Sequence, residues 1–277
     1  MVKIGQTNTL TVTKLVSFGL YLDGDDLGEI LLPKKVAPKD AKPGDALEVF
    51  IYLDSEDQFI ATTRKPKAQV GEFVSMKCIE NTRVGAFLDW GLDKDLLLPH
   101  NQQKRPVEVG QYTMVHLYVD EHTDRIAASA KIDRFLDVTP AEYAEKEKVS
   151  VVIAGKSDLG YKAIVNNAHW GVIYYDTVFR DLKIGQRMPG YITKVREGGR
   201  LDVSIAPTVE KQVDRLGQQI LSYLEKQPNR FAPLYDKTDA DTIKRVFGVS
   251  KGVFKRTIGS LYKQGHITIL KDGIELK

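Results

Sequence analysis

The chain has 277 residues, 42% hydrophobic and 28% charged, with a formal net charge of +3. This is room for several small domains, and the composition excludes a disordered or fibrous chain. A single cysteine, Cys78, excludes an internal disulfide and suits a reducing cytoplasm, while the opening "MVKIGQTNTL" lacks a signal-peptide core and no run of about 18 apolar residues follows, so no membrane span is expected.

The first segments, "TLTVTKLV" (9–16), "FGLYLD" (18–23), "ILLP" (30–33), "LEVFIYLD" (47–54) and "FIATTR" (59–64), read as short strands. "KPGD" (42–45) and "SEDQ" (55–58) punctuate them as turns. The whole pattern then recurs 66 residues later. Gly19 pairs with Gly85, Leu22 with Leu88, Asp23 with Asp89, Pro33 with Pro99, Gly44 with Gly110, Asp54 with Asp120 and Ala61 with Ala127, with no gap. Such a register argues for duplication of a folding unit. Some five strands in about 60 residues leave no room for crossover helices, which predicts an antiparallel barrel closed on itself. Gly19 and Gly85 fall inside strands, where glycine marks a bulge or the close approach of a ligand or backbone. Cys78 sits in the apolar alternation "FVSMKCIE" and reads as a small buried hydrophobe.

A third, fainter copy lies 75 residues after the second. Gly85 pairs with Gly160, Leu98 with Ile173, Gly110 with Gly185, Arg125 with Arg200 and Ser129 with Ser204. Between the second and third copies, "TPAE" (139–142) has the form of a capping box, which predicts a short charged helix over "AEYAEKEK". After residue 209 the apolar period lengthens to that of a helix, through Val213, Leu216, Ile220, Leu221 and Leu224. A second helix is expected over 239–247, ended by Gly248. A third is capped by Ser250 and Gly265 and turns Val253, Phe254, Ile258, Leu261 and Tyr262 inward. "HITIL-KDG-IELK" closes the chain as a hairpin, and the set makes a winged helix. The expected fold is therefore mainly β and multidomain: barrels over 1–66, 67–132 and 149–208, a linker helix over 133–148, and an α+β winged helix over 209–277.

The strings "FGLYLD" and "VGAFLD", the following "ILLP" and "LLLP", and the closing "ATT" and "AAS" resemble the S-one type RNA-binding domain, a five-stranded OB barrel. The module order resembles the conserved virulence factor B family of bacteria, most of all in "LGYKAIVNNAHWGVIYYDTVF" and "VSKGVFKRTIGSLYKQG". That resemblance implies RNA binding by the aromatic before the strand glycine and the one after it. The matching positions are Phe18 and Tyr21 in the first copy, Val84 and Phe87 in the second, and Leu159 and Lys162 in the third. Stacking suits this role because every base has a π-face. Phe18 has a second reading as a core residue, with Tyr21 the exposed platform, and the acids Asp23, Asp25 and Asp26 crowd the pair. The family's usual histidine is missing from the first two copies, where Leu31 and Leu97 stand near its place; this favours packing of those copies against a neighbour.

The third copy gathers Tyr161, Lys162, Asn166, Asn167, His169, Trp170, Tyr174 and Tyr175. Aromatics among amide and basic groups suit splayed single-stranded bases. Lys162, His169 and Tyr174 are the expected contacts, one of Trp170 and Tyr175 is expected to be buried, and Arg200 is placed to reach phosphate. In the winged helix, Lys251, Lys255, Arg256 and Lys263 line the polar side of the third helix, with Lys244 and Arg245 on the second. Charge runs the same way: residues 1–66 carry −2, 67–148 carry −3, 149–209 carry +3 and 210–277 carry +5. Phosphate backbones are drawn to basic surfaces. None of the five histidines makes a metal spacing, and no phosphate loop or nucleophile motif occurs. The expectation is a non-catalytic, cytoplasmic regulator without metal or cofactor, gripping single-stranded RNA. DNA recognition through the third helix, or a scaffold docking on ribosome or polymerase components, are the alternatives.

Overall fold

The computed structural model describes residues 1–178, 181–205 and 209–277, with all their side chains except those of 176 and 209–215. The expected boundary at 208 and the Val213 side chain lie outside the described residues. Two compact units result, Met1–Val138 and Thr139–Lys277.

The first unit holds two barrels. In one, β1 (Thr7–Val16), β2 (Gly19–Asp23), β3 (Glu29–Pro33), β4 (Ala46–Leu53) and β5 (Phe59–Thr62) close in the order β1-β2-β3-β5-β4. In the other, β6 (Phe73–Asn81), β7 (Gly85–Leu88), β8 (Leu96–Pro99), β9 (Tyr112–Val119) and β10 (Ile126–Ser129) repeat that order. The second unit carries a third barrel of the same order, from β11 (Lys148–Lys156), β12 (Gly160–Val165), β13 (His169–Tyr174), β14 (Arg187–Val195) and β15 (Leu201–Ser204). The faintest copy thus has the full topology.

A wholly antiparallel ring is not what forms. The pairs β3–β5, β8–β10 and β13–β15 run parallel. Strand directions cannot alternate all the way round a ring with an odd number of members, so one neighbouring pair must agree. The first strand of each barrel also serves two partners. Residues 7–11 of β1 pair with β4 and 12–16 with β2, with a bulge between Val12 and Lys14. Equivalent bulges lie at Cys78/Glu80 and Ile153/Gly155. A bulge bends and twists its strand, which lets one strand turn the corner of a narrow barrel.

The glycine that opens the second strand has a steric origin. A Cβ on Gly19 would stand 2.3 Å from the Leu32 carbonyl oxygen, on Gly85 2.3 Å from that of Leu98, and on Gly160 2.2 Å from that of Ile173. Of the readings open for these glycines, the approach of backbone is the one observed.

The two barrels of the first unit share apolar packing. Phe50, on β4, belongs to the core of the second barrel, with its ring 5.4 Å from Trp90 in an edge-to-face contact. The Trp90 indole donates to the Ala68 carbonyl at 2.9 Å, Val70 N donates to Gly5 O at 2.8 Å, and Thr7 N donates to the Gln69 side chain at 2.8 Å. Lys35 and Arg64 both pair with Asp93, and Arg125 pairs with Asp57. The packing of one copy against its neighbour, expected from the missing histidines, is observed.

The linker helix expected within 133–148 is not formed. One 3-10 turn covers Ile132–Phe135, and 139–147 is turned or extended. An isolated helix of this length nucleates poorly, and tertiary contacts offer this segment more. Ala141 and Tyr143 pack on the third barrel's core, Lys146 N and Glu147 O bond the Ile192 backbone at 2.7 and 3.0 Å, and the Glu147 carboxylate caps Ala144 N at 2.9 Å.

The C-terminal module follows the winged-helix expectation: α1 (Val209–Glu225), β16 (Phe231–Ala232), α2 (Ala240–Phe247), α3 (Lys251–Lys263), β17 (Ile267–Ile269) and β18 (Ile274–Leu276), with strand order β16-β18-β17. Asp239 caps α2 through Thr242 N at 2.8 Å, and Ser250 caps α3 through Val253 N at 3.3 Å. The α3 end is a Schellman turn, with Gly265 N on Tyr262 O and His266 N on Leu261 O, each at 3.0 Å. Phe254, Ile258 and Leu261 are buried with Ile220, Leu224 and Ile243. Tyr262, expected inside, is 53% exposed, because Leu261 takes the inward position and the next residue turns about 100° away along the helix.

Two outcomes test this packing. Phe50→Ala empties space shared by two barrels and is expected to cost about 3–5 kcal/mol in urea denaturation of the full chain. His116 is 8% exposed, sandwiched by the rings of Phe135 at 4.0 Å and Phe73 at 4.6 Å, and its Nδ1 has no partner. Burial drives its pKa down from 6.5 to about 4, partly opposed by a hydrogen bond with the Gly71 backbone. The neutral ring is the folded form, so its contribution is complete above pH 6.5 and drains away as pH falls towards 4, by about 3 kcal/mol in all. His116→Phe is expected to flatten that part of the stability–pH curve.

Candidate nucleic-acid interface

Strand parity divides the third barrel's aromatic cluster. On β13, His169, Gly171 and Ile173 are buried, while Trp170, Val172 and Tyr174 are half-exposed. Lys162 lies opposite Val172 on β12, and Val172 lies opposite Asp202 on β15, which faces Lys194 on β14. Directly paired residues share a face, so Lys162, Val172, Asp202 and Lys194 form a row, with Trp170 and Tyr174 on either side of it. The Lys162 ammonium stands 5.8 Å from the Trp170 ring centre. The buried Asp202 carboxylate takes both oxygens to Arg196 Nε at 2.9 Å, and Tyr174 Oη bridges the pair, donating to Asp202 at 3.2 Å and accepting from Arg196 Nη2 at 3.1 Å.

His169 is not on this face. It is 5% exposed, its Nε2 lies 2.8 Å from the Thr139 carbonyl, and its Nδ1 lies 2.9 Å from the Tyr143 hydroxyl. Residues 169 and 174 have opposite parity on one strand, so they cannot both face outward; His169 anchors the linker instead. Neither Trp170 nor Tyr175 is buried: Tyr175 is 41% exposed, and Tyr161 fills the interior. Asn166 and Asn167, both with φ near +50°, lie at the centre of the turn from β12 to β13, which Ala168 N closes on Val165 O at 2.9 Å. Arg200 is exposed at the end of the β14–β15 turn, where its carbonyl accepts from Arg196 N at 2.8 Å. The arginine that joins the face is Arg196, which was missed; the parity of β13 and the Gly198–Gly199 turn were the signals that could have found it.

In the first barrel Phe18 is 55% exposed, which removes its core reading, and its ring meets Tyr21 edge-on at 6.3 Å. The Lys14 ammonium lies 4.6 Å from the Tyr21 ring centre. Of the acids near this pair, Asp23 ends β2 on the same outward side as Tyr21, two residues and about 7 Å along the strand, while Asp25 and Asp26 lie in the turn beyond it, where Asp25 pairs with the N-terminal amine at 2.9 Å. In the second barrel Phe87 is half-buried and lines a cleft between the barrels. On the winged helix, Lys255, Arg256, Tyr262 and Lys263 are exposed along α3, Lys251 is half-buried, and Lys244 and Arg245 are exposed on α2. Lys255 is 3.8 Å from Asp236. By unit, residues 1–138 carry 17 basic against 21 acidic residues (−4), and residues 139–277 carry 23 against 16 (+7). Among the described residues no group of three or more His, Cys, Asp or Glu could hold a metal ion, and no helix is long and apolar enough to cross a membrane.

The S1 domain family model matches residues 4–64 and 70–131, and that of the CvfB-like winged helix domain matches 218–276. The fold is thus a tandem-barrel protein assembled from domains of nucleic-acid-binding type. The chain belongs to the conserved virulence factor B family. Conserved virulence factor B of Staphylococcus epidermidis is 26% identical over 98% of this chain and 96% of its own. The uncharacterized protein YitL of Bacillus subtilis is 27% identical over 95% and 90%. A crystal structure of a multidomain protein with nucleic acid binding domains from Streptococcus pneumoniae is 24% identical, covering 99% of this chain and 98% of that one, with a TM-score of 0.41.

If His169 holds the linker, Tyr143→Phe removes one of its hydrogen bonds and should cost about 1 kcal/mol in thermal denaturation; an unchanged melting temperature would dismiss the anchor.

Proposed function

We propose that this protein is a non-catalytic regulator of gene expression in the bacterial cytoplasm that grips single-stranded RNA through its third barrel and winged helix. The observation that carries this reading is the β12–β13–β15 face, where the Lys162 ammonium stands 5.8 Å from the Trp170 ring and Tyr174 lies on the same outward side of β13. Rings on an exposed sheet offer stacking to any base, and the cation attracts phosphate. The +7 charge of residues 139–277 supplies the long-range part of that attraction. Arg200 and the exposed Lys255 and Arg256 extend the basic surface to the turn and to α3, while Phe18 and Tyr21 offer a further stacking pair on the first barrel. The name carried by the staphylococcal relatives fits a regulatory role.

Fluorescence anisotropy with a short single-stranded RNA, its DNA counterpart and a duplex tests the reading. Trp170→Ala is expected to weaken RNA binding about tenfold, since one stacked base contributes about 1–3 kcal/mol. Lys162→Ala should weaken it several-fold and lower the salt dependence by about one phosphate contact. An equal loss for Lys39→Ala, an exposed lysine of the other unit, would remove the assignment. Tight duplex binding that survives both third-barrel substitutions would favour DNA recognition by α3 instead.

A further inference from the structure

The cleft between the first and second barrels has a volume of about 480 Å³, inside the range of small-molecule sites, about 300–1,000 Å³. Tyr52 of β4 lines it from one barrel; Phe87 of β7 and the buried Trp90 line it from the other. Trp90 already meets Phe50 and Tyr52 edge-on. Phe87 has no aromatic partner among the described residues, which leaves its ring as the one open to stacking.

The polar lining decides what kind of ring would enter. Lys94 Nζ is engaged by the carbonyls of Leu53 at 3.3 Å and Asp54 at 2.7 Å, and Arg125 is paired with Asp57. Asp120 accepts from His122 N, Thr123 N and the Thr123 hydroxyl in its own turn. Asp95 has neither a hydrogen bond nor an ion pair among the described residues. Burial raises its pKa, and the like charges of Asp89 and Glu80 raise it further. A carboxylate left over in a cleft whose cations are engaged calls for N–H donors and repels phosphate. Among the bases, guanine alone has two adjacent donors, N1–H and N2–H, on its pairing edge. Adenine and cytosine set an acceptor beside their amino group, and uracil sets acceptors on both sides of its N–H.

We propose that this cleft holds a single guanine base, its ring against Phe87 and its two-donor edge on the Asp95 carboxylate. The base comes either from free guanosine or from a guanosine in an RNA strand. The cleft lies wholly within residues 1–138, so this site and the strand grip on 139–277 can fail independently.

The chain has two tryptophans, so Trp170→Phe leaves Trp90 as the sole indole and weakens the strand grip at the same time. Guanosine is then expected to quench Trp90 fluorescence saturably in the full chain. Inosine, which lacks the amino group, should bind more weakly, adenosine should not bind, and guanosine monophosphate should bind less well than guanosine. Asp95→Asn, at an exposed position, should weaken guanosine binding about tenfold, the loss expected of a charge-assisted pair, with an unchanged melting temperature. Quenching by a short guanosine-containing RNA, reversed by guanosine, would assign the base to a strand; a response to guanosine but not to that RNA would assign it to the free nucleoside. The proposal is overturned if neither probe quenches Trp90 saturably, if adenosine matches guanosine, or if Asp95→Asn binds as before.

Discussion

Three times along this chain, the opening residue of a barrel's second strand lies so close to the third strand that a Cβ would come within 2.3 Å of a carbonyl oxygen. That steric limit is what the barrels depend on. Five strands in some 60 residues form a very narrow ring, and its wall is drawn in where β2 meets β3, β7 meets β8 and β12 meets β13. Only glycine permits this. The bulge in each first strand and the parallel pair at each closure belong to the same solution, since a short strand must bend to serve two neighbours and an odd ring must break its alternation once. The three devices recur at equivalent positions despite heavy divergence elsewhere, as in Lys162 of the third barrel where the second has Phe87.

With the ring closed, parity assigns chemistry. Odd positions of β13 fill the barrel and even positions meet solvent, so adjacent His169 and Trp170 have unrelated tasks. The histidine uses both ring nitrogens on the linker, while the tryptophan sits beside Lys162 on the open face. The Arg196–Asp202–Tyr174 group holds that face in place by satisfying a buried carboxylate with a planar cation, an arrangement that keeps a charged group inside without leaving it unpaired. The two units also divide in charge: the first is acidic and fused across a seam, and the second is basic.

What could be read from residues alone was local or repeated. The 66-residue register, the helix over 239–247 with its Gly248 stop, the Ser250 cap, the Asp272–Gly273 hairpin and the α3 core all rest on signals within a few residues or on a copied pattern. The losses came where distant partners decide. "TPAE" has every feature of a helix start, yet His169, Ile192 and the third barrel's core hold the segment in a non-helical path. The string from Tyr161 to Tyr175 reads as one cluster because composition does not reveal parity; the turn through Asn166 and Asn167, two members of that cluster, sets it. Tyr262 was placed inside from spacing that fitted both neighbours, and only the packing of Leu261 separates them.

The seam around Phe50 and Trp90 also bears on how such a chain diversifies. Duplication ordinarily yields copies that can be excised, shuffled or lost one at a time. Here the first two copies have surrendered that modularity: the interior of one includes a ring from the other, so removal of either would strand an aromatic face in water. On these contacts the two barrels can be kept or lost only together, and substitutions disturb the join least on surfaces turned away from it.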